Sequence, residues 1–338
     1  MPILLSHTSS LERLRSVPPQ VDTAKNITQP MQMAQFAQDG DALSEEVLRS
    51  AGVVQRPAHR LVPSGRHEGG NDTARIHRLG FEEVPAGLLR AARDDVYYAG
   101  PELTFALMAQ ATSLIGTVVL GHELCGTYAH FAQFVSGFYE RPALTSVERI
   151  RGALGELRGL YGISMARRAL RWVRDGSASP METVVSCMLG LPTSMGGFGL
   201  VAPVLNYEVA LAPAGRGITG TRTCRIDTAY PEVMVGVEFD GVAYHRDVER
   251  DRRRREVLAH EGWTIYVLNT EEMLNFSQLR NTVSLLDGVP RLRGSGPVSD
   301  AAARELLDRL LRATRFGVGL NAALFGTDVP RGLVRVHL

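Results

Sequence analysis

Three acids could do chemistry in this chain. Glu238 and Asp240 close the apolar run 233–239, and Asp227 ends the preceding run 223–229. Side chains alternate along a strand, so Glu238 and Asp240 project from one face while Val237 and Phe239 point the other way. Asp227 joins them if a hairpin sets it on that face, for example opposite Gly236; a one-residue slip would turn it away. A hard divalent cation such as Mg2+ prefers carboxylate oxygens, backbone carbonyls and water, and leaves room for a phosphate oxygen. Asp227, Glu238 and the Phe239 carbonyl supply such a set. An ion held there would polarise a phosphodiester, lower the pKa of an attacking water and stabilise the charge of the transition state. The implied reaction is phosphodiester hydrolysis.

The elements that must position these acids follow from pattern. Residues 223–229 read as a strand, 230–232 as a turn and 233–239 as a β-branched strand buried on both faces. Residues 247–260 have helical composition, and 263–268 are again an apolar strand. The segment is thus a hairpin followed by a strand, helix, strand crossover, an α/β nuclease-like core. Upstream, 205–211 is the first strand and 212–220 its hairpin turn. Ser179 caps an apolar helix running to Leu189, with Pro180 at the first helical position and Glu182 at the third, a capping-box pattern. The glycine-rich stretch 191–199 follows a helix rather than joining a strand to a helix N-terminus, so it is a loop and not a phosphate cradle.

Taken together, these residues resemble the PD-(D/E)XK nuclease superfamily, in its very-short-patch-repair-like branch. The resemblance rests on Arg225-Ile226-Asp227, Val237-Glu238-Phe239-Asp240-Gly241, His245, Asp251 with Arg254, and Gly262-Trp263, in that order over the last half of the chain. It implies a restriction-endonuclease-like mixed sheet flanked by helices, with Asp227 and Glu238 holding Mg2+ (or Mn2+) and DNA as the substrate. Glu182, in the Ser-Pro-x-Glu form of that family, faces the metal site as well as capping its helix. Arg225 and Arg254 become candidates for the DNA backbone. One departure matters: Asp240 stands where most of the superfamily has lysine, and the only lysine of the chain is the distant Lys25. A cationic or proton-transfer role then falls to His245 or an arginine, since an imidazole titrates near neutrality. His245 reads equally as a cap on the turn after the strand. The arginine run at 250 and 252–255 alternates with acids, which makes at least half of it a solvated helix face and leaves some guanidinium groups for phosphates.

The remaining chain sets limits. Its 338 residues suggest two or three domains, and 44% apolar residues are ample for real cores. A net charge of +1 means that any nucleic-acid contact comes from local patches. Cys125, Cys187 and Cys224 have neither disulfide-framework nor zinc spacing, and the amino terminus lacks a signal-peptide pattern; both fit a reducing cytoplasm. Residues 103–121 carry no charge, but their Thr, Ser and Gln content, with Gly116 interrupting the stretch, reads as a buried helix, a break and a second short helix rather than a membrane span. His122, Glu123 and Cys125 read as a helix end. Residues 6–15 and 44–51 read as helices and 53–62 as a strand pair, an α+β lobe that a small winged-helix module could also use. Strands at 74–79 and 96–98 followed by Gly100-Pro101-Glu102 resemble the central region of abortive-infection AbiEi-type antitoxin-like proteins. Past the core, 270–286 and 299–315 are helices, the second packing back through Leu306, Leu307, Leu310 and Leu311.

The expected organisation is an amino-terminal lobe at 1–65, an AbiEi-like α+β region at 66–175, a nuclease-like α/β domain at 176–290 and a linker with a helix at 291–338. The expected activity is Mg2+-dependent DNA cleavage in phage defence or a toxin–antitoxin setting, with a protein partner and without a membrane. The alternative is a DNA-binding antitoxin-like regulator that keeps an inactive nuclease fold.

Overall fold

The computed structural model of the protein describes residues 2–16, 22–36, 44–63, 72–93, 95–131, 137–240, 248–293 and 296–314. Gly241 and His245 lie outside the described residues. The architecture is mixed α/β, and the chain divides into two compact units, residues 1–125 with 129–173 and residues 126–128 with 174–314.

In the first unit, strands β1 (Ile3–Leu5), β2 (Lys25–Asn26), β4 (Ala58–Val62), β5 (Ala74–Arg78), β7 (Leu89–Arg93) and β8 (Val96–Ala99) form a sheet in the order β2-β7-β8-β1-β4-β5. Strand β1 runs parallel to β8 and antiparallel to β4, and β4 runs parallel to β5. The short strands β3 (Met31–Gln32) and β6 (Glu83–Val84) pair with each other, as do β9 (Tyr128–His130) and β10 (Phe138–Glu140). The strand pair expected at 53–62 is a correction: only 58–62 is a strand, preceded by a turn at the end of α2 (Glu45–Ser50). Helices α1 (His7–Ser16), α3 (Pro101–Ala111), α4 (Leu114–Cys125), α5 (Val147–Glu156) and α6 (Ile163–Leu170) complete the unit.

The uncharged stretch breaks at Thr112 and Ser113 and not at Gly116, which lies inside α4, because Ser113 Oγ accepts from Gly116 N and so starts that helix. No helix among the described residues is long and apolar enough to cross a membrane. The end of α4 holds the fully buried Glu123, which receives both Nε and Nη2 of Arg15 at 2.7 and 2.5 Å.

In the second unit, β11 (Val204–Ala210), β12 (Thr223–Tyr230), β13 (Val235–Asp240) and β14 (Thr264–Asn269) lie in sequence order. The first three are antiparallel; β14 is parallel to β13 and is reached through α9 (Val248–His260). A parallel neighbour demands such a crossover. Ile226, Val257, Leu258 and Trp263 are among the buried residues of the core that α9 closes. Helices α7 (Pro180–Gly190) and α12 (Asp300–Thr314) pack together, as expected for the latter.

Two expectations need correction. The hairpin turn at 212–220 is largely a helix, α8 (Pro213–Thr219), with proline in its first turn and Gly220 in the left-handed conformation after it. It lies against α9 where Gly215 faces Val257: a Cβ on Gly215 would stand 2.8 Å from that side chain. The single helix at 270–286 is two, α10 (Thr270–Leu274) and α11 (Phe276–Asp287). Asn269 forms a capping box with Glu272, and Asn275 both ends the first helix and caps the second.

Candidate functional site

Asp227 comes from β12, Glu238 and Asp240 from β13, and Glu182 from the first turn of α7. The hairpin pairs Thr228 with Val237, Ala229 with Gly236 and Tyr230 with Val235. Ala229, not Asp227, therefore stands opposite Gly236, and continuing the register sets Asp227 across from Glu238. The offset from the expected register is two residues, which preserves the face, because the side-chain period along a strand is two. Asp227 then closes the gap itself: its Oδ2 accepts from Phe239 N at 2.9 Å.

Glu182 is tied down from two sides. Ser179 Oγ accepts from Glu182 N at 3.2 Å, the expected cap. The reciprocal bond differs from a capping box, because Glu182 Oε2 accepts from Ala178 N at 2.8 Å rather than from Ser179 N. The same oxygen accepts from Asn206 Nδ2 at 2.7 Å. Asn206 sits within β11 at φ 49°, a conformation that asparagine tolerates better than most residues, and its amide also donates to Gly176 O.

These carboxyl groups feel one another. Burial, then the neighbouring Asp227, push the Glu182 carboxyl up to about 7. Burial also raises Asp227, against the Phe239 N–H and the Arg254 guanidinium that hold it down. Glu238, 5% exposed, is raised by burial and by Asp227 and lowered by Arg254. Arg254 from α9 places Nη2 2.7 Å from Glu238 Oε2 and donates Nη1 to Arg225 O at 2.7 Å. Glu238 Oε1 is buried and has no hydrogen-bond partner among the described residues. Asp240, half-buried, stands next to Asn269 of β14 in the parallel register.

The Arg225 guanidinium points instead to β11, where Glu208 directly opposite accepts from it at 2.9 and 3.1 Å. A cleft of about 440 Å³ runs along this edge, bordered by Thr223, Arg225, Arg250, Arg253 and Arg254. Arg252 and Arg253 are exposed and pair with Glu249 of their own helix, the solvated-face arrangement expected for that part of the run. Across the described residues, only His7, His59 and His77 in the first unit form a group of three or more acids, histidines or cysteines with donor atoms all within 4.8 Å. The acids of the second unit stand further apart.

Two uncharacterized proteins of Mycobacterium tuberculosis, one from strain CDC 1551 / Oshkosh and one from strain ATCC 25618 / H37Rv, are similar to this chain. Each is 28% identical over 127 residues, 37% of this chain and 42% of the relative. The match thus spans less than half of either relative. No family model matches the chain, and no solved structure matches it.

Sequence reasoning missed Asn206 and the partner that Arg254 takes. An asparagine inside the expected strand 205–211 is a usable signal, since a strand interior rarely keeps one without a bond to make. The Arg254–Glu238 pair carries no such local mark.

Proposed function

We propose that the second unit is a metal-dependent endonuclease of the restriction-endonuclease-like fold that hydrolyses DNA phosphodiester bonds. The observation that carries this reading is the buried acid group with one acceptor, Glu238 Oε1, left unmatched among the described residues. Buried carboxylates that raise one another, countered at Glu238 by Arg254 and more weakly by Arg255, cost free energy unless a cation joins them. Asp227 and Glu238 would hold Mg2+ or Mn2+, with the Phe239 carbonyl beside them. Bound there, the ion would supply Lewis acidity and a water of lowered pKa. Glu182, poised near neutrality, would take the proton of that water, and Asp240 would support the acidic end of the strand. With no lysine to serve the site, His245 would assist proton transfer or hold a phosphate. Arg225 and Arg254 border the cleft in which a nucleic-acid backbone would lie. The likeness of the amino-terminal region to AbiEi-type antitoxin-like proteins extends the proposal to a cytoplasmic defence or toxin–antitoxin setting with a protein partner.

One observation favours the alternative, a DNA-binding regulator with an inactive fold: Arg254 already neutralises Glu238. Nicking of supercoiled plasmid by the purified chain with Mg2+ or Mn2+, beside Glu238→Ala and Asp227→Ala, separates the two. Metal-dependent nicking lost in both variants supports the nuclease. Metal-independent DNA binding without cleavage by the wild type overturns it.

A further inference from the structure

The first unit carries a second constellation, unrelated to the acids. His7 opens α1 directly after β1, His59 lies on β4 and His77 on β5. Three neighbouring strands bring them together. Ser6 N donates to His59 O at 2.9 Å, and the parallel register sets His59 beside Arg75 and Leu61 beside His77, so His59 and His77 share a face. One donor atom from each ring lies within 4.8 Å of the other two. His59 Nδ1 and His77 Nε2 face each other at 2.8 Å, and the His77 ring stacks on His7 with centroids 3.7 Å apart and on His59 at 4.9 Å.

We propose that His7, His59 and His77 form a binding site for a borderline-soft divalent transition metal of the Zn2+ class, with a fourth coordination position open to water.

Two features make the cluster a ligand set. His7 and His59 are buried and His77 half-buried, so the rings are held by surrounding chain and the site opens toward solvent at His77. In addition, Ser6 Oγ lies 3.0 Å from His7 Nδ1. A proton held on Nδ1 by that hydroxyl leaves Nε2 as the donor, the usual way a neighbouring polar group fixes the ligating nitrogen. The donor set is then His7 Nε2, His59 Nδ1 and His77 Nε2, the proton of the 2.8 Å hydrogen bond between the last two moving to the other nitrogen of its ring when the metal binds.

Ligand chemistry selects the metal. Zn–N distances of about 2.0–2.1 Å in a tetrahedral site put neighbouring nitrogens about 3.3 Å apart, so the widest side of the triangle closes by about 1.5 Å at most while the His59–His77 pair opens by about 0.5 Å, shifts that ring rotation supplies. Three imidazoles without a carboxylate suit Zn2+, Co2+ or Ni2+ and disfavour Mg2+, which seeks oxygen. Arg75 is exposed and shares the face of His59, and its charge opposes a cation there. The His7 backbone at φ 46°, in the left-handed region, is a further cost borne where the ring is needed.

The test uses the full chain freed of any histidine tag. Equilibrium dialysis against Zn2+ in millimolar Mg2+, and Co2+ titration followed by visible absorption, measure stoichiometry and geometry. The expected result is one Zn2+ per chain, tetrahedral cobalt bands, and at least a tenfold loss of affinity in His77→Ala, whose half-buried position tolerates replacement. Asp227→Ala and Glu238→Ala should keep full Zn2+ binding, which makes the outcome independent of the nuclease reading. His77→Gln serves if His77→Ala does not fold. Absence of stoichiometric Zn2+ in the wild type overturns the proposal, as does undiminished binding in the folded His77 variant.

Discussion

Replacing Glu182 with glutamine should remove a specific part of the pH dependence of stability in the second unit. The folded chain holds this carboxyl up at about 7 against an ordinary 4.5, through burial and the nearby Asp227. A group whose folded pKa is raised binds its proton more tightly when folded. Its contribution is therefore fully present below pH ~4.5 and is lost as the pH rises through ~7, a swing of about 2–3 kcal/mol once partial solvent access is allowed for. Glutamine keeps an acceptor oxygen for Ala178 N and Asn206 Nδ2 but never ionises. The assay is urea denaturation from pH 4 to 9, followed by Trp263 emission in a Trp172→Phe background, since Trp263 packs in the core beside β12. The wild type should lose about 2–3 kcal/mol relative to Glu182→Gln between pH ~4.5 and ~8. Mg2+ at the alkaline end should restore part of that loss in the wild type and little in the variant. Parallel curves for the two proteins would refute the argument that Glu182 shares a buried acidic site.

Removing Arg254 leaves the buried Glu238 unpaired, so Arg254→Ala should destabilise the second unit by about 1–3 kcal/mol, the guanidinium being 30% exposed. Trp263-monitored denaturation reads this, and saturating Mg2+ should reverse most of it; an unchanged midpoint, with or without Mg2+, counts against the acid site. In the first unit, burial works against ionised Glu123, but Arg15 holds the carboxyl down at about 2. Glu123→Ala should cost about 3–5 kcal/mol by stranding buried Arg15, measured by thermal unfolding. Because that folded pKa is depressed, the contribution is present above pH ~4.5 and disappears as pH falls toward ~2; a loss under about 1 kcal/mol would show that the pair is dispensable.

Local signals in the chain determined a good deal of this protein. Ser179-Pro180-x-Glu182 begins α7 as its caps require, and the polar residues of the uncharged stretch mark two helices, although the break falls at Thr112-Ser113 and not at Gly116. The strand-like runs 223–229 and 233–239 and the arginine-dense run after them mark β12, β13 and α9, the second strand starting two residues later, at Val235. Caps and hydrophobic period act within a turn or two of chain, so a short window of sequence contains both partners of each interaction. Asp227 and Glu238 were legible as a possible pair for the same reason.

What the sequence left open required partners distant along the chain. Whether Asp227 stood opposite Gly236 or Glu238 depended on a register that leaves the alternation unchanged. Arg254 could have met phosphate or Glu238, Arg15 and Glu123 had no common spacing, and nothing near His7 points to His59 and His77. Loop closure and burial choose such contacts only after the sheets have formed, because a charge or an imidazole takes its partner from whatever the packed chain brings within reach.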